Sequence, residues 1–542
     1  MENNKTLLDW QRKKYSMFIH WGIYSILAGI WNNKKIEGYS EQIKGHAQIS
    51  SEEYRKLAKK FNPSKWDADY ITDLAIASGM KSIIFTAKHH DGFCMFKSKY
   101  TDFNVVDLTP YAKDIVKELA NACRLKSLNF GLYYSLIDWD YDGALPFTSV
   151  NNSDLIPNKH HQFNINQVKE LLTNYGEISE LWFDMGSPTF EQSKELVEVI
   201  KQIQPNCLVS GRIWNDQGDF VVMGDNYKPT FKMAVPWQAP ASIFNETWGY
   251  RSWQKRENCK NKIKEKITDL LNIVSSGGNY LLNIGPKEDG SIVPFEENVL
   301  RGVGNWLKES GEGIYASFTS IIDKPDWGFI TSKERKLYFH ITNKPDDNII
   351  KLSGLKISID KIYPLSDKSL SLEFSDLNGL EIVLPDKVLK NEYANVIVFQ
   401  YNGEYKYLSS KIIYPDENGN FYLDNSNSEY YHSYSGHDYY SYKPTIVMIK
   451  WSLAIPSVAR YSLKSSLNNQ ELKLKIDEKT LHIPSIASEK NNLIHKLIGE
   501  VDLDKDICNV ELSLINITNP NRGIDLNNLS ISFSKIVDIS KQ

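Results

Sequence analysis

Alternating strand and helix patterns constrain the fold of this chain more than any other feature of its sequence. Between Phe18 and about Ser317, seven short β-rich runs are separated by helical patterns such as "WDADYITDLAIAS" and "FEQSKELVEVIKQI". Parallel strands need such helical crossovers, so the repeated alternation predicts a (β/α)8-type barrel. A doubly wound open sheet is the competing arrangement. It is less favoured because no glycine-rich dinucleotide or phosphate fingerprint follows any of the runs.

The predicted barrel strands with their outgoing ends are "SMFIHWG", "KSIIFTAKHHDGF", "NFGLYYSLIDW", "ELWFDMG", "CLVSGRIW", "SIFNETWGY" and "NYLLNIGP". After residue 317 the pattern changes to short strands separated by turn signals, which is typical of antiparallel sandwiches. A second β series runs from "YKYLSSKIIYP" to "LSISFSKIV". We therefore expect a barrel over residues 1–317, a β-sandwich over 318–404 and a second β-sandwich, jelly-roll-like and similar to carbohydrate-binding modules, over 405–542.

Composition excludes several classes of partner. The formal net charge of -4 gives no electrostatic reason to expect nucleic acid or an acidic membrane surface as a partner. No run approaches the ~20 apolar residues of a membrane span. The start, "MENNKTLLDWQRKKYSMF", lacks the apolar stretch of a signal peptide, so we expect a cytoplasmic protein, or a periplasmic or secreted one if a signal was removed. The five cysteines are scattered without metal-ligand spacing, which predicts free thiols.

Chemistry-bearing residues recur where the predicted strands end. In a parallel barrel, the carboxyl ends of all strands face one mouth, so these side chains are expected around a single cavity. They are His20, His89, His90, Tyr133, Trp182, Asp184, Arg212, Glu246 and Trp248. Asp184 closes the apolar run "ISELWFDMGSP", where a substrate or water can solvate its carboxylate; read alone, it would be a helix-capping residue.

The adjacent histidines of "FTAKHHDGF" point to opposite faces if the strand stays extended. Metal binding by both is then the weaker interpretation, and hydrogen bonding to sugar hydroxyls through N–H donors is favoured. In "FIHWG", His20 and Trp21 offer a donor and a ring. Glu41, in the following "GYSEQI", is an acid among uncharged neighbours.

Six of these motifs, taken in chain order, resemble the α-L-fucosidases of glycoside hydrolase family 29. They are "FIHWGIYS", "AKHHDGFCMF", "FGLYYSLIDW", "LWFDMG", "TWGYRSW" and "SGGNYLLNIGPKEDGSI". The resemblance covers roughly residues 8 to 317, and it implies a retaining exo-α-L-fucosidase that acts on terminal fucose of glycans or oligosaccharides without metal or cofactor. It also implies that Asp184 is the nucleophile. The implied fucose-binding residues are His20, Glu41, His89, His90, Tyr133, Trp182, Arg212 and Trp248.

The acid/base residue does not carry over from the family, because this sequence departs from it at two places. Tyr227 stands where a glutamate is expected in "GDFVVMGDNYKP", and Gln238 follows Trp237 where many relatives have Trp-Glu. Glu246 and Asp225 remain as candidates, and Glu246 is preferred for its longer reach. Gln42 also replaces a tryptophan that relatives often carry after the loop glutamate.

Three other functions stay open at the sequence level. The first is a carbohydrate-binding protein that has lost catalysis, motivated by Gln238 and Tyr227. The second is a metal-dependent hydrolase that uses His20, the histidine pair and Asp184 as ligands. The third is a glycosidase for a fucose-like sugar such as L-galactose, which differs from fucose only at C6.

Overall fold

The structure is a computed structural model of the chain. It describes residues 5–145, 153–376, 379–407, 411–466, 471–483, 495–503 and 506–515, together with 517, 523, 524, 526 and 529–536. Residues 408–410 and Val537, which the sequence assigns to β structure, lie outside the described residues.

In the described residues, eight parallel strands form the first sheet. They are β1 (Tyr15–Ile19), β2 (Ser82–Lys88), β3 (Asn129–Ser135), β4 (Glu180–Asp184), β5 (Leu208–Val209), β6 (Val221–Val222), β7 (Trp237–Ser242) and β8 (Asn279–Ile284). Their order in the sheet is β5-β4-β3-β2-β1-β8-β7-β6, so sequential strands are neighbours. A parallel bridge between Ser210 and Phe220 joins the two ends. The sheet therefore curls into the predicted barrel.

The predicted helices also form. The longer helices span Lys5–Lys13, Ala68–Ala77, Ile115–Leu125, Asn158–Asn174, Phe190–Ile203, Cys259–Ser275 and Pro294–Ser310. Shorter helices and 3-10 turns span Tyr24–Leu27, Ser40–Gln42, Ile43–His46, Ser51–Arg55, Lys56–Lys60, Val105–Leu108, Gly211–Ile213, Gly311–Gly313 and Asp386–Val388. Local sequence explains where they begin: Thr189 and Gln192 form a capping box that starts the helix after β4.

One strand prediction was wrong, and one strand was missed. The run "SIFNETWGY" was predicted to hold a strand and its outgoing end, but only Ser242 of it belongs to β7, and the rest is the outgoing loop. The strand β6 was not predicted at all. Pro236 and Pro240 lower the β signal of the true β7 segment, and two residues of β6 are too few to show a period.

Aromatic and aliphatic side chains fill the barrel interior. The buried cluster comprises Trp10, Phe18, Ile84, Tyr133, Trp182, Leu208, Phe220, Val222, Trp248 and Leu281. Trp10, on the first helix, stacks on Phe220 with ring centroids 4.3 Å apart. Its indole N–H donates to Glu180 Oε2 at 2.7 Å. The first helix thus adds a tryptophan to this core, and Glu180 at the start of β4 fixes its orientation.

Two β regions follow the barrel, as predicted. In the first, a five-stranded sheet has the order Phe318–Thr319, Gly328–Lys333, Lys336–Ile341, Asn395–Tyr407 and Leu355–Pro364. A three-stranded sheet has the order Ile349–Leu352, Leu380–Val383 and Phe374–Ser375. The two sheets share one buried core, in which Phe339 and Phe399 stack at 4.0 Å.

The last β region also has two sheets with a common core. The four-stranded sheet has the order Phe421–Leu423, Ser530–Lys535, Ala459–Ser466 and His495–Leu503. The six-stranded sheet has the order Lys479–Ile483, Leu472–Ile476, Asp506–Leu514, Lys443–Ile455, Glu429–Ser435 and Lys232–Met233. The boundaries at 317 and 404 stay predictions.

The edge strand Lys232–Met233 belongs to the chain between β6 and β7 of the barrel. It pairs in parallel with the last β region, Lys232 opposite Tyr431 and Met233 opposite His432. The Ala234 N–H also donates to the His432 carbonyl at 2.8 Å. The barrel and the last β region are therefore joined by a shared sheet as well as by side-chain contacts. A two-stranded hairpin, Ile30–Trp31 with Lys34–Lys35, projects from the first barrel loop.

None of the helices within the described ranges is long and apolar enough to cross a membrane.

Candidate active site

A pocket of about 420 Å³ opens at the carboxyl ends of the barrel strands. Ten of the eleven candidate site residues line it, and only Glu246 does not. Five further residues complete the lining: Phe18, Tyr39, Gln42, Met185 and Tyr439. Gln42 stood out in the sequence only as a departure from the family. Side chains that are far apart in the sequence thus meet at one cavity.

Asp184 ends β4 with its carboxylate in the pocket. The residue is 8% exposed. Oδ1 accepts a hydrogen bond from Arg212 Nη1 at 2.9 Å, and Oδ2 accepts one from the Tyr133 hydroxyl at 3.0 Å. The next residue, Met185, has a φ of 63°, in the left-handed region that costs a non-glycine residue roughly 1–3 kcal/mol. This sharp turn ends the strand and leaves the carboxylate facing the cavity.

Arg212 joins two carboxylates inside the pocket wall. Its Nη2 donates to Asp225 Oδ1 at 2.5 Å and to the Met223 carbonyl at 3.0 Å. The guanidinium also lies over the Trp182 ring, 5.0 Å from its centre. Among the described lining residues, Arg212 is the only one with a lysine or arginine charge. The buried guanidinium of Arg212 therefore pairs with both carboxyl groups. The three side chains together carry a net negative charge when both acids are ionised.

The three pocket histidines are uncharged at neutral pH. Burial lowers the pKa of His20 and of His90 to about 3, and that of His89 well below its usual range. Asn283 Nδ2 donates to the Trp248 carbonyl, so its Oδ1 can only accept the 2.7 Å bond that it makes with His20 Nδ1. His20 Nδ1 therefore carries the proton, and Nε2 is left as an acceptor.

The same reasoning fixes His90. Ser135 Oγ donates to the Ile137 carbonyl at 2.8 Å, so it accepts from His90 Nδ1 at 2.6 Å. The expectation that His20 and His90 offer N–H donors to sugar hydroxyls was therefore wrong, because those donors are already used. Their Nε2 atoms can instead accept hydrogen bonds from hydroxyls.

The chain turns after β2 and brings both adjacent histidines to the cavity. The Gly92 N–H donates to the His89 carbonyl at 3.1 Å, and the His89 and His90 ring centroids are 3.9 Å apart. The prediction of opposite faces holds only for an extended strand, and β2 ends at Lys88. Trp21, expected as a pocket ring, does not line the pocket. It is buried against Trp66 at 4.7 Å, and its N–H donates to the Lys287 carbonyl.

Glu41 approaches the pocket from the first loop. It is 1% exposed, and its Oε2 accepts from the Gly249 N–H at 2.8 Å and from the Trp248 N–H at 3.2 Å. Burial raises its pKa to about 7, and these two backbone donors act in the opposite direction. Glu41 thus tethers the loop after β7 and titrates near neutral pH.

Comparison with known proteins identifies the family. A family model described as alpha-L-fucosidase matches residues 1–312. The chain belongs to the alpha-L-fucosidase family. The resemblance seen in the sequence and the glycoside hydrolase class that it implied are thereby confirmed.

The similarity of this family member to individual relatives extends beyond the barrel. Human plasma alpha-L-fucosidase is 32% identical over 60% of this chain and 74% of its own length. The crystal structure of alpha-L-fucosidase from Vibrio sp. strain EJY3 is 27% identical, covers 98% of both chains and has a TM-score of 0.69. A trapped covalent intermediate of a Bacteroides thetaiotaomicron GH29 alpha-L-fucosidase is 25% identical, covers 74% of this chain and 97% of its own, and has a TM-score of 0.67.

The two acid/base candidates of this fucosidase-family chain lie in different places. Asp225 lines the pocket and accepts from Nη2 of Arg212, whose Nη1 donates to Asp184. Glu246 is exposed in the loop after β7, where Gln254 Nε2 donates to it at 3.4 Å. The preference for Glu246 rested on reach alone, and the sequence could not show which way that loop points. The geometry favours Asp225.

The two departures at the expected acid/base positions lie outside the pocket lining. Gln238 is fully buried in the barrel, where its Oε1 accepts from the Trp182 indole N–H at 2.9 Å. Tyr227 is 40% exposed and is not among the lining residues. These residues motivated the hypothesis of lost catalysis. Since neither stands at the cavity, that hypothesis is not favoured.

Three of the four residues in the ligand set of the metal-hydrolase hypothesis make hydrogen bonds within the protein. His20 Nδ1 bonds to Asn283, His90 Nδ1 bonds to Ser135, and both oxygens of Asp184 have donors. Within the described residues, no group of three or more His, Cys, Asp or Glu side chains is placed to hold a metal ion.

Tyr439 is the lining residue that sequence reasoning missed most completely, because it comes from the last β region. The Arg212 guanidinium carbon is 5.5 Å from the centre of its ring. The aromatic stretch "YYHSYSGHDYYSY" is the one signal that could have drawn attention to it. Tyr39 directly precedes the loop that carries Glu41, and its position in "GYSEQI" could have suggested a role beside that residue.

Proposed function

We propose that this chain is a retaining exo-α-L-fucosidase that releases terminal α-L-fucose from glycans or oligosaccharides. The observation that carries the proposal is the carboxylate of Asp184, fixed by Arg212 and Tyr133 inside a pocket lined by the barrel strand ends and their loops. Family membership and the relatives' fucosidase names support the substrate. A pocket, unlike an open cleft, accommodates the end of a sugar chain.

Substrate binding would use uncharged acceptors together with Glu41. The Nε2 atoms of His20 and His90 accept from ring hydroxyls, and the buried Glu41 carboxylate is a further acceptor. The aromatic rings of Trp182 and Trp248 cover the apolar face and the C6 methyl of fucose. A neutral sugar suits this lining because it brings no charge into a buried site.

In the first chemical step, an oxygen of Asp184 attacks C1 of fucose as the bond from C1 to the leaving oxygen breaks. A glycosyl ester forms, and the leaving oxygen takes a proton from the acid. In the second step, water attacks C1, the ester bond to Asp184 breaks, and the proton of the water returns to the acid. The two inversions retain the configuration at C1.

We assign the acid/base role to Asp225. Retaining enzymes hold their two carboxyl groups about 5 to 5.5 Å apart, and Asp184 and Asp225 bond to adjacent nitrogens of one guanidinium. One guanidinium therefore positions both carboxyl groups that the proposed mechanism uses.

The test uses Asp184→Asn and an aryl α-L-fucoside. The substitution keeps the size of the side chain, but an amide is a far weaker nucleophile than a carboxylate, so we expect hydrolysis to fall by about 10⁴-fold or more. The first sugar that the wild-type chain releases should be the α-anomer by NMR. Full activity of the variant would remove the nucleophile assignment, and initial release of the β-anomer would exclude the retaining mechanism.

A further inference from the structure

The last β region reaches into the barrel pocket through one hairpin loop. This loop, residues 436–442, connects the paired strands Glu429–Ser435 and Lys443–Ile455. Tyr439 at its tip lines the same cavity as Asp184, Arg212 and Asp225. The ring of Tyr440 lies perpendicular to that of Tyr439, with centroids 5.6 Å apart, and Tyr440 is 66% exposed.

The 436–442 loop is held against the barrel at its two ends. The Asn215 N–H donates to the Gly436 carbonyl at 2.9 Å. Tyr442 packs edge-on against Trp214 at 5.3 Å, and its hydroxyl accepts from the Val222 N–H at 3.4 Å. These contacts join the loop to the segments that follow β5 and to β6. The loop is therefore placed before any ligand arrives.

Contacts inside the 436–442 loop also fix its shape. Asp438 Oδ1 accepts from the Ser441 N–H at 2.7 Å, and the Asp438 carbonyl accepts from the Tyr442 N–H at 3.0 Å. Ser441 Oγ accepts from the N–H groups of His437 and Asp438 at 3.0 and 3.1 Å. Tyr439 and Tyr440 are thus presented on an ordered turn, so little conformational entropy is lost when a ligand packs on them.

The position of Tyr439 relative to Asp225 decides which part of a substrate it meets. The charge of Asp225 is the largest influence on the Tyr439 hydroxyl and, with burial, raises its pKa to about 12. An acid/base residue stands beside the leaving oxygen, so rings beyond it contact the leaving group. A hexose presents an apolar C–H face to such rings.

We infer that Tyr439 and Tyr440 form the leaving-group subsite and bind the sugar ring to which fucose is attached. This inference rests on the proposed function. It gives the last β region a direct part in substrate selection: it discriminates between fucosides by their leaving group. The two rings raise kcat/KM for substrates whose leaving group is a hexose, but a leaving group of one atom makes no contact with them.

The experiment compares a fucosyl disaccharide, whose leaving group is a hexose, with α-L-fucosyl fluoride. The measured quantity is the ratio of kcat/KM for the disaccharide to kcat/KM for the fluoride. In Tyr439→Ala/Tyr440→Ala, we expect this ratio to fall about tenfold, and in Tyr440→Ala about threefold. Tyr422→Ala, at a tyrosine of the same β region that is 59% exposed and outside the pocket lining, is the matched control and should keep the wild-type ratio.

Hydrolysis of α-L-fucosyl fluoride by a variant shows that the pocket of that variant is folded. If the two kcat/KM values fall together, or if the ratio stays at the wild-type value, the inference is wrong and the proposed function stands. If the wild-type chain hydrolyses neither substrate, the proposed function is wrong, and so is the inference that rests on it. A loss confined to the disaccharide supports both.

Discussion

Replacement of Arg212 by methionine is the most severe test of the ion pairs that Arg212 forms with Asp184 and Asp225. Arg212 is 3% exposed, and its two carboxylate partners have side chains that are 11% and 18% exposed. Removing one partner of a buried ion pair leaves uncompensated charge and costs about 3–5 kcal/mol. Methionine keeps contact with the Trp182 ring, so most of the loss should come from charge. We expect Arg212→Met to lower the free energy of unfolding by about 3–5 kcal/mol.

A double-mutant cycle isolates the electrostatic part. Asp225→Asn removes one of the two carboxylates that Arg212 neutralises, so Arg212→Met/Asp225→Asn should be more stable than Arg212→Met alone. The expected coupling is about 1–3 kcal/mol, measured by urea unfolding of the full chain at pH 7 with tryptophan fluorescence. Arg460→Met is the matched control, because Arg460 pairs with Asp502 at the surface, and it should change stability little. Additive losses in the cycle would refute the shared-cation account.

The other predictions concern the proton donor, a titrating carboxylate and the barrel interior. Asp225→Gly should lower kcat/KM about 10²-fold or more for a disaccharide and much less for a fucoside with a good leaving group. Glu246→Gln should leave both kcat/KM values near those of the wild type. The reverse pattern would identify Glu246 as the acid. As pH rises through about 7, Glu41 ionises and becomes a stronger hydrogen-bond acceptor. The Kd of fucose, measured by calorimetry, should therefore fall about tenfold over this pH range. The same pH dependence of Kd in Glu41→Gln would contradict this assignment. Gln238→Glu should give no gain of activity and should lower the unfolding midpoint, because it buries a carboxylate beside Trp182; faster hydrolysis would place position 238 at the substrate after all.

The strand-end rule explains why so much of the site could be predicted from the sequence. Asp184 ends a barrel strand, and His20 and Arg212 each follow one; closure of the sheet brings such positions to one mouth whatever their separation in the chain. The helices were predictable for a similar reason, since the 3.6-residue period is a local property.

The parts that could not be predicted depend on long-range contacts. Tyr439 reaches the pocket because the last β region pairs with Lys232–Met233 and packs on the barrel through Tyr442, and no local pattern encodes these contacts. The roles of Gln238 and Glu246 depended on the register of β7, which two prolines obscured. The neutral state of His20 follows from its burial and from Asn283, which lies 263 residues away in the chain.

In the proposed mechanism, the carboxylate of Asp184 forms a covalent bond to C1 of fucose. The most direct measurement is mass spectrometry of peptides from wild-type protein that has reacted with 2-deoxy-2-fluoro-α-L-fucosyl fluoride, a reagent that slows breakdown of the glycosyl ester. We expect one added 2-fluorofucosyl group, attached to the side chain of Asp184. Labelling of another carboxylate, or turnover of the reagent with no labelled peptide and an inverted product, would contradict it.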